Sequence, residues 1–172
     1  MTWRLAGSLP RNLERGARKS EPDTAGRVFV TMDRHVDRAA SGPLWLRDSR
    51  IAHLLRNALW HGERERHFYI LRAWVIMPNH VHMLLEPSVP LPMITRWLKG
   101  STARQANQLL GRTGSAFWQN ESFDHWVRND DELNRIIRYI EYNPVSAGLA
   151  QSPADWVWSS ARPAGESAYP TT

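Results

Sequence analysis

The sequence predicts an α+β domain in which helices pack on an antiparallel sheet. Three observations point there. Residues 68–77 (FYILRAWVIM) and 80–87 (HVHMLLEP) are apolar, β-branched runs separated only by Pro78-Asn79, the pattern of an antiparallel hairpin. Residues 48–62 and 92–111 flank that hairpin, the first with apolar side chains at helical spacing. Residues 130–143 form a further helical segment, which opens on acidic residues suited to a helix N-terminus. With 172 residues, 42% of them hydrophobic and 23% charged, the chain has the size and apolar content of one domain around one core.

Residues 1–26 are rich in Arg, Ser, Gly and Pro without a sustained period, and read as a basic, poorly ordered arm. Residues 27–32 (RVFVTM) have the composition of a short strand, and 33–46 read as a connecting loop. Asp48 is a suitable N-cap for a helix whose inner face is Ile51, Leu54, Leu55, Ala58 and Leu59, with Gly62 as its stop. Pro87 ends the second hairpin strand. The helix over 92–111 contains Gly100, a point where it can bend. Residues 111–129 read as loop with short strand pieces. The last helix carries Leu133, Ile136, Ile137 and Ile140 at helical spacing. Pro144 is expected to end it at Tyr142 or Asn143, because proline biases the preceding residue away from helix. The organisation is an arm over 1–26, a folded domain over 27–161 and a flexible polar tail over 162–172.

Lys plus Arg number 22 against 17 Asp plus Glu, a net charge of +5 carried mostly by Arg. Arg offers a planar fork of donors that suits phosphate, so the balance favours a polyanionic partner, nucleic acid before acidic membrane. The absence of cysteine excludes disulfides, thiolate zinc sites and thiol nucleophiles. No apolar run approaches the ~20 residues of a membrane helix. The opening residues hold no apolar segment of signal-peptide length, so a cytoplasmic location is expected. Nine Trp serve either as core or as stacking platforms for unpaired bases.

Two constellations carry chemistry. His80 and His82 stand at i and i+2 of a strand, so they share a face while Val81 points into the core. Two such imidazoles can share a metal ion, although for the pair by itself two polar residues on a solvated sheet face are the more ordinary arrangement. Tyr139 and Asn143 stand at i and i+4 of a helix, with Arg135 on the same stripe. A phenol can attack a phosphodiester if the phosphate is polarised and held in line, and the Asn143 amide oxygen is a neutral third donor one turn away. Such a donor set, imidazole and oxygen without thiolate, suits Mg²⁺ or Mn²⁺. Tyr139 and Tyr142 as half-buried surface tyrosines remain the alternative.

The motifs MPNHVH (77–82), LKG (98–100), FWQNESF (117–123), YIEYNPVSAGL (139–149) and DWVWSS (155–160) together resemble the REP-associated tyrosine transposases, single-tyrosine enzymes of the His-hydrophobic-His superfamily. The resemblance spans residues 28–160. It implies a ferredoxin-like antiparallel sheet packed with helices, and a transposase-like catalytic domain over 27–161. It implies metal-dependent cleavage and rejoining of single-stranded or hairpin DNA through a 5′-phosphotyrosine intermediate, that is, a single-strand nicking and strand-transfer enzyme. In it Tyr139 is the nucleophile, His80, His82 and Asn143 are the metal ligands, and Mg²⁺ or Mn²⁺ is the cofactor. A monomer or homodimer in the bacterial cytoplasm, acting at the nucleoid without a membrane partner, follows from the same likeness. The chain departs from the family pattern before Val28 and in a long 33–46 segment. A domesticated, non-transposing DNA-binding or regulatory protein is the alternative reading.

DNA contacts are expected from cations along a groove and from aromatic faces. Lys99 and Arg104 lie on the helix after the His strand. Trp118 and Gln119 can stack on or hydrogen-bond a base, with a core role for Trp118 equally open. Arg128 and His125 flank Trp126, and Arg135 and Arg138 neighbour the tyrosine, where they can hold the scissile phosphate.

Overall fold

The structure, a computed structural model, describes residues 1–8 and 42–162. The strand expected over 27–32, the arm from residue 9 onward and the tail beyond residue 162 lie outside the described residues. The elements are β1 (Thr2–Arg4), α1 (Ser49–Arg64), β2 (Tyr69–Ile76), β3 (His80–Pro87), α2 (Leu91–Leu109) and α3 (Asp130–Ser146). Among the described residues the strands form a three-stranded antiparallel sheet in the order β1-β3-β2, an α+β architecture as predicted. No helix among the described residues is long and apolar enough to cross a membrane.

The period of two along β3 divides the molecule into two layers. Val81 and Met83 point to one face, where Ile51, Leu55 and Leu59 of α1 and Ile94 and Leu98 of α2 enclose them with Trp3 and Leu5. The opposite face carries His80, His82 and Leu84, and α3 lies over it through Ile140 against Ala73, Val75 and Met77. β2 reaches both layers through a bulge. Leu71 pairs with Leu85 but Ala73 with Leu84, so Arg72 is an extra residue. Tyr69 and Leu71 therefore face the α1–α2 layer before the bulge, whereas Ala73 and Val75 face α3 after it. The Leu71 amide donates to Glu63 Oε1 (2.7 Å) at this point.

Among the described residues both sheet edges are partly covered, which shortens the template open to another chain. Residues 118–123 bridge to β1 at Thr2 and Leu5, and Ser159 bridges to Val75 of β2.

The structure corrects three expectations. Residues 1–8 are no loose arm: Thr2–Arg4 insert as β1, because Trp3 and Leu5 have apolar partners under β3 and are buried. α1 passes through Gly62 to Arg64, since Gly62 marks a close approach rather than a stop. A Cβ there would collide with the Tyr69 hydroxyl. α3 continues through Pro144 to Ser146. Proline in the final turn forfeits one amide donor, and the turn is closed instead by Ala147 N–H to Asn143 O (3.0 Å) and Leu149 N–H to Pro144 O (2.8 Å).

Candidate active site

β3 delivers the His pair and α3 delivers the groups that meet it. His80 is 0% exposed and His82 2%, so the solvated-face alternative does not hold. Their Nε2 atoms face each other at 2.9 Å, with the rings 80° apart. His80 Nδ1 bonds Asn79 Oδ1 (2.7 Å), and His82 Nδ1 bonds Thr2 Oγ1 (2.7 Å) from the neighbouring strand. From α3, the Asn143 amide, 2% exposed, reaches His82 Nε2 through Nδ2 at 3.3 Å. Its Oδ1 is buried without a hydrogen-bond partner. The Tyr139 ring stands edge-on to His82, centroids 5.6 Å apart, and 42% of the residue is exposed. Its neighbour Tyr142 is exposed as well.

This geometry fits a cation. Two inner nitrogens converge while both outer nitrogens are fixed by oxygens, the arrangement that orients imidazole ligands. A half-turn of the Asn143 amide brings the orphaned Oδ1 beside the pair. No cluster of three or more His, Cys, Asp or Glu forms among the described residues; the Asn143 amide is the group beside the pair that could add an oxygen donor.

The candidate DNA contacts fall into two groups. Arg104, Arg128, Arg135 and Arg138 are exposed; on α3, Arg135 lies one turn before Tyr139 on the same face, and Arg138 precedes it on the adjoining one. Lys99 instead holds a loop, donating to Asn120 O (2.8 Å) and Glu121 O (3.4 Å), and burial lowers its pKa. Gln119 is partly buried and donates to Glu121 Oε2 (2.9 Å). Trp118 departs from the stacking expectation. It is 6% exposed, packs on Phe117 and Trp3, and donates Nε1–H to Thr102 Oγ1 (2.9 Å), so it offers no face to a base.

Three residues outside the expected set stand at the site or beside it. Thr2 and Asn79 hold the outer imidazole nitrogens. The only sign of Asn79 in the sequence is its place in MPNHVH, and Thr2 gives none, since its role depends on strand pairing across 80 residues. Trp126 is 71% exposed, alone among the nine Trp in the exposed class. It rims a groove of about 520 Å³ floored by Leu84, Leu133 and Ile137. Leu84 follows His82 on the same strand face, so the groove lies ~7 Å along β3 from the pair. Glu132 pins this segment, accepting from His125 Nε2 (2.9 Å) and from the Arg128 amide (2.8 Å).

The family described as "Transposase IS200 like" matches residues 45–143, which contain the His pair, Tyr139 and Asn143. A protein of Haemophilus influenzae, whose name assigns it provisionally to the REP-associated tyrosine transposases, is 29% identical over 99 residues. That match covers 51% of this chain and 56% of the relative's length. A solved structure of a REP-associated tyrosine transposase bound to a REP hairpin has a similar fold. Its TM-score is 0.57 at 20% identity, covering 92% of this chain and 72% of that one.

Proposed function

The chain belongs to the IS200-like transposase family, and on that premise we propose that it cleaves and rejoins single-stranded or hairpin DNA through Tyr139. The Tyr139 oxygen attacks a phosphodiester in line. The new bond joins Oη to phosphorus, the bond to the 3′ oxygen breaks, and that oxygen leaves as a hydroxyl, taking up a proton. A 5′-phosphotyrosine remains. A 3′-hydroxyl from another strand then attacks phosphorus, Oη departs, and the phenol regains a proton. The two steps balance without a nucleotide cofactor, because the phosphotyrosine conserves the ester.

His80 Nε2, His82 Nε2 and Asn143 Oδ1 would hold Mg²⁺ or Mn²⁺, which supplies Lewis-acid polarisation of a phosphate oxygen. α3 orients the phenol, Arg135 on the same helix face and Arg138 beside it counter the phosphate charge, and Trp126 offers its ring to an unpaired base flanking the cut. The observation that carries the reading is the meeting of the Tyr139 ring and the Asn143 amide with a buried imidazole pair.

The test incubates the protein with Mn²⁺ and oligonucleotides from the DNA flanking its own gene, followed by denaturing electrophoresis. A covalent protein–DNA band is expected, lost in Tyr139→Phe and kept in Tyr142→Phe. Binding without a band under either metal favours the DNA-binding, non-transposing alternative. A band that survives Tyr139→Phe moves the nucleophile elsewhere.

A further inference from the structure

The outer hydrogen bonds of the His pair differ in kind. With the Asn79 amide placed Oδ1 toward the ring, where it can only accept, His80 carries its proton on Nδ1 and presents a lone pair at Nε2. The Thr2 hydroxyl can donate or accept. Without a cation the bonds close in one direction. Thr2 Oγ1–H donates to His82 Nδ1, His82 Nε2–H donates to His80 Nε2, and His80 Nδ1–H donates to Asn79 Oδ1. For His82 to present a lone pair at Nε2 its proton must sit on Nδ1, and Thr2 must then accept. A hydroxyl serves both tautomers by rotating about one bond, and no nitrogen of the buried ring loses its partner.

Thr2 is set for this by the sheet and not by local sequence. β1 pairs Thr2 directly with His82, so both side chains rise from the same face. The register is fixed on both sides, by Met83 N–H to Met1 O (2.9 Å) and by Thr2 N–H to Phe123 O (2.8 Å). Asn79 sits in the hairpin turn, where its carbonyl accepts the Leu5 amide (2.8 Å) and ties the turn to the same N-terminal segment.

We propose that Thr2 and Asn79 are positioning residues for the His pair, and that the Thr2 hydroxyl reverses from donor to acceptor so that His82 can serve as a ligand. The inference rests on the metal reading above and adds to it the groups that set the imidazole tautomers.

The experiment measures Mn²⁺ affinity by calorimetry on the full chain, stripped of metal, as wild type and as Thr2→Val, Thr2→Ser and Asn79→Ala. Valine keeps the shape and removes the hydroxyl, and serine restores it. Thr2→Val and Asn79→Ala are expected to weaken Mn²⁺ about 10–100-fold, the usual cost of losing a partner behind a ligand, with Thr2→Ser close to wild type. Nitrogen-15 spectra of the imidazoles give a readout that packing alone does not move: in Thr2→Val, without metal, the His82 Nδ1 signal should shift as its hydrogen bond is lost, while the Nε2–H tautomer held by His80 stays. Circular dichroism establishes that each variant is folded. A folded Thr2→Val protein that binds Mn²⁺ as tightly as wild type, with unchanged His82 signals, removes the positioning role and leaves the metal reading standing. A wild-type protein that binds no Mn²⁺ overturns both.

Discussion

Replacing His80 by Ala tests whether the imidazole pair is also part of the fold. The ring is fully buried and makes two hydrogen bonds, 2.7 Å to Asn79 Oδ1 and 2.9 Å to His82 Nε2. Alanine takes away a partner from each of those atoms in a region closed off by α3. A buried polar atom that loses its partner costs ~1–3 kcal/mol, so the pair costs roughly 2–6 kcal/mol before any water enters the space. That is a large part of the ~5–15 kcal/mol that holds a domain folded. At ~2–4 °C per kcal/mol for a chain of this length, the melting temperature should fall by roughly 5–20 °C. The assay is thermal unfolding by circular dichroism in a metal chelator, repeated with Mn²⁺. A ligand at 100 times its Kd adds ~2.7 kcal/mol, so wild type should melt higher with Mn²⁺ and the variant should gain little. A variant that melts with wild type in chelator would refute the argument that these bonds are intact and buried. The size of the effect also means that lost activity in His80→Ala, taken alone, does not identify a ligand.

Three further outcomes are expected. Gly62→Ala should destabilise the fold by about 1–3 kcal/mol in a denaturant titration even though alanine is the better helix former, because its Cβ would press on the Tyr69 ring and its bond to Leu59 O (2.8 Å). Equal or greater stability would mean that α1 can shift away from β2. Trp126→Ala should weaken single-stranded DNA binding by about 1–3 kcal/mol, measured by fluorescence anisotropy, and leave the melting temperature unchanged. Unchanged affinity would remove Trp126 from the binding surface. Glu132 titrates below its ordinary value of 4.5, chiefly through its hydrogen bond with His125 and then that from the Arg128 amide. A carboxyl depressed in this way contributes fully above its unfolded pKa and loses its contribution as pH falls through the folded value. The 125–129 segment should therefore loosen only below pH 4.5, seen in the amide signals of Trp126 and Arg128, and loosening between pH 5 and 7 would contradict it.

The hairpin was legible because its two runs are apolar and end at Pro78-Asn79 and Pro87; β3 occupies the expected residues, His80–Pro87. The Asp48 cap was legible for the same local reason, a short acceptor ahead of an apolar helix, and its carboxylate does accept the Arg50 amide (3.0 Å). β1 was not legible. Three residues carry no period, and the strand forms only because β3 offers an edge and the α1–α2 layer a place for Trp3. The bulge at Arg72 was equally hidden, since it changes which residues share a face without changing the composition of the run. Pro144 misled because its usual meaning assumes a helix with more turns to come, whereas here only the last one remains. At the site, the i, i+2 and i, i+4 spacings brought His80 to His82 and Tyr139 to Asn143, but spacing within an element says nothing of the crossing that brings α3 over β3. Trp118 and Lys99 show the converse limit: residue types suited to DNA are spent here on the core and on a loop.

The polar atoms at the centre add up to more than a hydrogen-bond network. Two Nε2 atoms and one amide oxygen, all on residues no more than 2% exposed, are brought together between the sheet and α3, beside the apolar contacts of Ile140. Only one proton, that on His82 Nε2, is available to lie between the rings once Asn79 has fixed His80 as the Nδ1–H tautomer. If it lies there, the Asn143 Nδ2 hydrogens point at a nitrogen that already bears one, and the amide is better turned so that Oδ1 faces the pair. With Oδ1 turned inward, two acceptors, His80 Nε2 and Asn143 Oδ1, share that single donor hydrogen. Burying lone pairs in such excess costs free energy that a core of the same shape in valine and leucine would not incur. Under the proposed metal reading, a divalent cation would supply the positive charge this arrangement lacks, and the half-exposed ring of Tyr139, edge-on to His82, would stand beside it.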